Sequence, residues 1–388
     1  MKASSLSAAL CALAITSSGT AQAYGFMLRH DYTSCAQCHV DPSGGSVLTA
    51  YGRAQGELIL RTRYGVAADE PGKVAGFLFG LFELPEEVLL GGDVRVAVLG
   101  GSSLTKPRAF PMQADVVAAV KSGKLTFSGS LGLGSAATTP AKLVGDRVQL
   151  ISRHHWVGYA PDEDQSFMLR LGRMPLPFGV RLPEHTAWAR ASTRTDTNTS
   201  QQHGVSLAYS GERVRGELMG VVGNLQLSPL EYRERGYSGF LELTPNTWAT
   251  FGVSSLVTHA QRDLQDPERA VFRHAHGIFG RLAPWRPLVL SLEADVTHVS
   301  RSGLGGDLGG VGLLHADLEL TQGLHLVALG EVSVPSFRQV SSGVGVGGWA
   351  GAWWFFAPHA DVRVDFITRR EPDGALHYSL LGQLHFYL

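Results

Sequence analysis

From Gly91 to the C-terminus the chain is written in a period of two. Segments of about ten residues alternate apolar and polar side chains, are rich in Gly, and end in turn residues. Because side chains of a strand point alternately to its two faces, each segment presents one apolar and one polar face. Sixteen such segments can be counted, the first at 94–99 and the last at 376–388. Tight turns at Ser122-Gly123, Asp162-Glu163-Asp164, Ser210-Gly211, Pro245-Asn246, Pro284-Trp285, Gln322-Gly323 and Pro358-His359 interleave with mostly longer, more polar loops. This is the layout of an all-β, 16-stranded transmembrane barrel with short turns in the periplasm and long loops outside, and an even strand count returns the C-terminus to the periplasm. A long soluble β-sandwich would also alternate. However, the outward faces here are almost entirely apolar, and nothing after the first 23 residues reaches the roughly 18 apolar residues of a spanning helix. The expected setting is the lipid bilayer of a Gram-negative outer membrane.

The texture before Gly91 differs. Lys2, the apolar run 6–15 and Ala21-Gln22-Ala23 have the order of a secretory signal, assigned to 1–23, so that the mature chain starts at Tyr24. A lipoprotein reading centred on Cys11 is disfavoured, because Leu10 stands where a small residue is wanted. A turn cluster, Asp41-Pro42-Ser43-Gly44-Gly45, precedes the stretch 46–64, which has Ser46 as N-cap and Gly65 as C-cap. It reads as one amphipathic helix with Val47, Leu48, Tyr51, Leu58 and Ile59 on its apolar side. A hinge at 67–73 closes this 24–73 segment, an apolar stretch interrupted by Pro85 forms a linker at 74–90, and the barrel is assigned to 91–388. A unit of about 40 to 50 residues is near the limit for an independent core, so it must bury against a covalent group or a larger host.

Composition changes the picture in two places. Lys+Arg of 33 against Asp+Glu of 34 leaves a formal charge of -1, and no global charge argues for nucleic acid. Of the three cysteines, Cys11 leaves with the signal, so Cys35 and Cys38 are the thiols to explain. A disulfide, a redox C-x-x-C pair and a haem attachment compete for them. The next residue, His39, makes the motif C-x-x-C-H and favours haem. In that reading each thiol forms a thioether to a vinyl group of one covalent haem c, and the adjacent imidazole meets the iron. The second axial ligand stays open among Met27, His30, His325 and His385, with His30 the preferred candidate. Met ligation would raise the potential and bis-His ligation would lower it. The barrel histidines and carboxylates carry no tight metal signature such as H-E-x-x-H.

With these residues in place, the chain resembles the fused porin-cytochromes of the bacterial outer membrane, best known as Fe(II) oxidases, in which a signal peptide, a single-haem segment and a 16-stranded barrel share one chain. The resemblance covers the mature chain in layout. In residues it is local: Ser34-Cys35-Ala36-Gln37-Cys38-His39 followed by Leu48-Thr49-Ala50-Tyr51-Gly52-Arg53 is similar to the family's haem motif with its downstream L-T-x-aromatic-G-R element. The segment before it, Met27-Leu28-Arg29-His30-Asp31-Tyr32-Thr33, departs from the iron-oxidase pattern. Leu380, Leu384 and Phe386 resemble the C-terminal signature of outer-membrane barrels, with Leu388 in place of the usual terminal Phe. Gly172-Arg173-Met174-Pro175-Leu176-Pro177-Phe178-Gly179 is similar to a porin motif at a strand end. The loop that follows holds the place of the porin constriction loop, and the resemblance implies that it narrows this lumen.

Turning each apolar face to lipid sets the inward residues. Glu293, Asp295, Asp317, Glu319 and Glu331, with Asp361 and Asp365, then form an acidic wall. Arg170 and Arg215 lie on the other side, joined by Arg181, Arg190 and Arg194 of the long loop. Such a wall would bias a pore toward cations. The function implied is an outer-membrane electron conduit between an extracellular donor or acceptor, with Fe(II) the candidate donor of a possible oxidase activity, and a periplasmic carrier of the cytochrome c kind. The direction of flow is not readable. One haem does not span a hydrocarbon core of about 30 Å, so a second carrier is implied. The rival from another class is a diffusion porin whose haem segment hangs in the periplasm as a docking or sensing module. A periplasmic haem enzyme of all-β type is a third reading, and no second catalytic constellation supports it.

Overall fold

The computed structural model describes residues 25–64, 76–135, 148–162, 165–184, 186–196, 200–338 and 343–388. The expected signal at 1–23 and hinge at 67–73 lie outside the described residues. One antiparallel sheet contains every strand: β1 (Val88–Gly101), β2 (Arg108–Ser122), β3 (Leu125–Ser135), β4 (Val148–Ile151 and His155–Tyr159), β5 (Phe167–Met174), β6 (Gln202–Ser210), β7 (Val214–Gly223) and β8 (Arg235–Asn246). It continues through β9 (Ala249–Ala260), β10 (Val271–Trp285), β11 (Leu288–Arg301), β12 (Gly306–Thr321), β13 (Leu324–Val334), β14 (Gly345–Ala357), β15 (Ala360–Arg370) and β16 (Leu376–Tyr387). Both pieces of β4 pair with β3, which makes them one interrupted strand and the total sixteen. Each strand pairs with its chain neighbours, and β16 returns to β1 with Asp93 opposite Tyr387 and Val94 opposite Phe386. Closure satisfies the edge hydrogen bonds that hydrocarbon would otherwise leave unpaired.

All sixteen segments expected from the period-two pattern fall on these strands. The first begins earlier than its pattern suggested: Val88, Leu89 and Leu90 already pair with Val120, Ala119 and Ala118, inside the stretch assigned to the linker. Phe167, Leu169 and Leu171 of β5 face outward and exposed, while Met168 and Arg170 between them are buried. The same alternation puts Leu218, Ile278, Leu314 and Phe366 on an apolar outer belt.

The inward side is where the barrel departs from an open pore. Arg170, Glu242, Glu293 and Asp365 are at most 2% exposed. Two insertions cover them, the segment 25–64 and the long loop between β5 and β6. The N-terminal segment is not a separate helical domain: it lies in the lumen at the short-turn end, and its helices are few. Gly25–His30 is a 3-10 turn, α1 spans Ala50–Gln55, and a single π turn covers Gly56–Leu60. The expected continuous helix over 46–64 is therefore corrected. Val47 and Leu48 are held in a short antiparallel bridge, His39 opposite Leu48 with Val40 N–H donating to Val47 O at 3.1 Å, and Ser46 before them has a positive φ of +61°, so none of the three starts a helix. Thr49 then caps the true helix start, its hydroxyl accepting from Gly52 N–H at 3.0 Å. Too small for a core of its own, the plug borrows one, with Phe26, Met27, Leu28 and Leu60 packing against Ala283, Val289, Val327, Trp353 and Phe355 of the wall.

Candidate functional site

Around Cys35-Ala36-Gln37-Cys38-His39 the backbone makes a tight turn, with Cys38 N–H and His39 N–H both donating to Cys35 O at 3.2 and 3.0 Å. The downstream element folds back on it. Thr49 N–H donates to Cys38 O at 2.9 Å and the Thr49 hydroxyl to Gln37 O at 2.8 Å. Gly52 lies so close that a β-carbon would strike the Cys38 carbonyl. The L-T-x-aromatic-G-R spacing thus has a local reason: Thr caps the helix and ties the motif, and Gly admits its backbone.

Both thiols are buried and not joined in a disulfide, and with His39 they open on a cavity of about 710 Å³ that Met27, Val47 and Leu60 also border. Burial, with a smaller contribution from Cys35, pushes the Cys38 thiol up to about 12, and burial lowers the His39 imidazole, which keeps it neutral. A protonated thiol is not the reactive thiolate of a redox dithiol. Two thiols at a cavity wall, a neutral imidazole beside them and an apolar lining are what covalent haem requires, so these residues fit the group. Of the side chains expected on the apolar side of the 46–64 helix, Val47 and Leu48 border the cavity, whereas Tyr51 is turned out and exposed and Ile59 packs in the apolar cluster of the plug. Gly52, Gln55, Gly56 and Leu60 take their place because the helix starts later than its pattern suggested. His30 lies outside the cavity lining, near Glu319, Arg286 and His325.

Polar anchors hold the plug. Arg170 of β5 reaches Asp41 at 2.5 Å and also pairs with Glu217, whose other oxygen accepts from the Ser43 hydroxyl at 2.7 Å. Arg281 donates to Thr33 O at 2.9 Å, and both it and Arg215 pair with Glu242 at 2.6 Å. Arg29 pairs with Asp317, to which His325 also bonds at 2.8 Å. Gln322 donates to Leu58 O and Arg61 O, both at 2.9 Å.

The long loop folds into the barrel, as its position implied. Gly179, at φ +59°, approaches Glu293 too closely for a side chain. Val180 N–H donates to Glu293 at 2.7 Å and Arg190 pairs with the same carboxylate. Trp188 N–H donates to Glu331 at 2.7 Å, at the start of the short helix α2 (Trp188–Thr193), and Arg369 pairs with Glu331 at 2.6 Å. Arg194, in the left-handed conformation that ends α2, reaches Asp263 and Glu234 at 2.8 and 3.1 Å. Burial would raise the Glu184 carboxyl, but Arg363 at 2.5 Å and His315 at 3.3 Å hold it well below the ordinary carboxylate range.

These contacts correct the acidic wall. Glu293, Asp295, Asp317, Glu319 and Glu331 do point inward, yet none of them borders the cavity. Glu293, Asp317, Glu319 and Glu331 are bonded to arginines or backbone N–H groups of the loop, plug and wall, and Asp295 is buried beside Glu293. Asp361 does border the cavity, with its oxygens taken by Trp353 and His385 at 2.8 Å, and Asp365 is paired with Arg363 at 2.9 Å. From the C-x-x-C-H turn the cavity follows β1, β2 and β14–β16 to Glu371 and His377 at the long-loop end. Among the described residues no group of three or more His, Cys, Asp or Glu is arranged to hold a metal ion.

A closed barrel of sixteen strands with an apolar belt and an infolded third loop is the porin-like fold of outer-membrane proteins. Comparison with solved structures gives the same class. The chain is similar to OmpT of Vibrio cholerae at a TM-score of 0.60 and 9% identity, covering 79% of this chain and 99% of that one. It is similar to the outer-membrane channel DcaP of Acinetobacter baumannii (TM-score 0.54, 12% identity, 77% and 97% covered) and to an anion-selective porin from Comamonas acidovorans (0.55, 10%, 78% and 99%). No family model and no curated protein matches the chain. The fold places it in the outer membrane of a Gram-negative bacterium, in contact with the lipid bilayer.

Proposed function

We propose that this chain is an outer-membrane electron conduit carrying one covalent haem c on Cys35 and Cys38, with His39 as an iron ligand. The observation that carries the reading is the seat of the C-x-x-C-H turn: it lies inside the lumen, with its thiols and imidazole on a cavity that continues to the long-loop end. Bound there, the haem would supply one-electron redox chemistry away from lipid. The chain's own residues hold the turn by Thr49, Arg170 and Arg281 and shield it with the apolar residues Val47 and Leu60. Electrons would pass between an extracellular partner reaching the cavity and a periplasmic carrier of the cytochrome c kind meeting the plug from the short-turn end. Fe(II) as donor rests on the family resemblance alone, since the carboxylates that would concentrate a dication are buried or half-buried and, Asp295 apart, bonded to arginines, backbone N–H groups, Trp353 or His385.

Haem-stained denaturing gels test the attachment: Cys35→Ala and Cys38→Ala should each lose covalent haem while a heat-modifiable barrel still inserts. Retention of stain in both single variants would sink the proposal. Stopped-flow reduction by Fe(II), an anionic and a neutral reductant then sorts the donor. The diffusion-porin alternative is separated by single-channel conductance, which the conduit reading expects to be small with residues 25–64 in place.

A further inference from the structure

Granting the haem reading on which this step rests, the iron needs a second axial ligand, and we infer that it is the Met27 thioether. Met27 borders the same cavity as Cys35, Cys38 and His39 and is 4% exposed. Its backbone is pinned on both sides: Met27 O accepts from Tyr32 N–H at 3.2 Å, and Arg29 Nε donates to Phe26 O at 2.9 Å while its guanidinium pairs with Asp317. In the 3-10 turn 25–30, with a rise near 2.0 Å per residue, His30 lies on the same face as Met27 but one turn, about 6 Å, along the axis, and it does not border the cavity.

The imidazoles that do border the cavity are engaged or distant. His385 bonds Asp361 through Nδ1 at 2.8 Å and approaches Asp93 through Nε2 at 3.3 Å. His154 Nε2 is 2.9 Å from the Ser46 hydroxyl. His377 is at the long-loop end, opposite Arg369. The other thioether there, Met112, belongs to the wall, beside the bulge where β2 slips against Val96. Met27 shares a short chain segment with His39, packs in the apolar cluster of the plug, and has no comparable polar engagement among the described residues. A thioether in such surroundings is a soft, neutral ligand that favours ferrous iron and raises the potential.

The test uses the purified full barrel as wild type and as Met27→Leu, Met27→His, Met112→Leu and His30→Ala. Haem staining is expected in all five. The oxidised wild type should show the near-infrared methionine-to-iron charge-transfer band. Met27→Leu should lose it with a lower midpoint potential, and Met27→His should replace it with a bis-imidazole spectrum. Met112→Leu and His30→Ala should keep the wild-type spectrum. Should Met27→Leu fail to fold, as judged by heat modifiability, Met27→His decides. The inference is overturned by a bis-imidazole wild type, by a band that survives Met27→Leu, or by one that vanishes with Met112→Leu. Absence of covalent haem from the wild type would instead overturn the conduit reading beneath it.

Discussion

At the scale of residues the lumen is governed by charge pairing. Arg170 is 0% exposed and neutralises Asp41 of the plug and Glu217 of β7 together. Removing one partner from a buried ion pair leaves an uncompensated charge, at roughly 3–5 kcal/mol. Arg170→Met is therefore expected to unseat the plug while leaving the strand ladder intact, seen as protease cleavage within 25–64 of a barrel that still runs as heat-modifiable. Unchanged protection would show that the apolar cluster alone holds the segment. Gly52→Val adds atoms where the Cys38 carbonyl already stands and should abolish haem staining with the cysteines untouched. At this scale the sequence was legible only in part. C-x-x-C-H and the downstream Thr and Gly stand within 18 residues and could be read together, whereas Arg29 and Asp317 are 288 residues apart and nothing local announces their pairing. Met27 and His30 are both near the motif in the chain, and the sequence does not show which of them borders the cavity.

At the scale of elements the strands were legible and the plug was not, for one physical reason. A barrel strand meets lipid on one face and lumen on the other, so its environment is written residue by residue in a period of two. The segment 46–64 has no such fixed surroundings: it takes its shape from a bridge to His39 and from the wall, and its apparent helical periodicity was overridden. The long loop shows the same dependence on distant partners, and its anchors make two predictions. Trypsin added to intact cells should cut after Arg262, an exposed residue of the β9–β10 loop, well before Arg181, Arg190 or Arg194, whose guanidinium groups are engaged inside. Early cleavage at the latter would mean that the loop swings free. The second concerns acid. The Glu184 carboxyl is depressed in the folded state, so its contribution is complete above the ordinary Glu value of about 4.3 and is lost only as pH falls through the lower folded value. Conductance should therefore stay constant from neutrality down to about pH 4.3 as far as this anchor is concerned, and Glu184→Gln, which weakens the loop's tie to Arg363 and His315 while Arg363 keeps Asp365, should raise it over that range.

At the scale of the whole molecule the barrel is a container whose lumen is divided between two fillings, a loop from its own wall and the N-terminal segment. Deleting 25–64 should convert it from a nearly closed conductor to an open pore, with a several-fold rise in single-channel conductance. No rise would mean that the infolded loop alone sets the constriction.

The pairing of β1 with β16 also carries a consequence for biogenesis. The ring cannot be completed until residues 376–387 have crossed the inner membrane, whereas Cys35 and Cys38 precede every strand of the barrel. A chain exported N-terminus first would therefore expose both thiols to the periplasm, where the proposed haem would be attached, while its last strand is still being made. The same thiols become buried once the wall has formed around them. If the proposed haem is attached, its loading is in this sense a race against closure, and the barrel would be assembled around a finished plug. In cells lacking cytochrome c maturation, pulse-labelled chains should close with free thiols that later restoration of the machinery no longer loads.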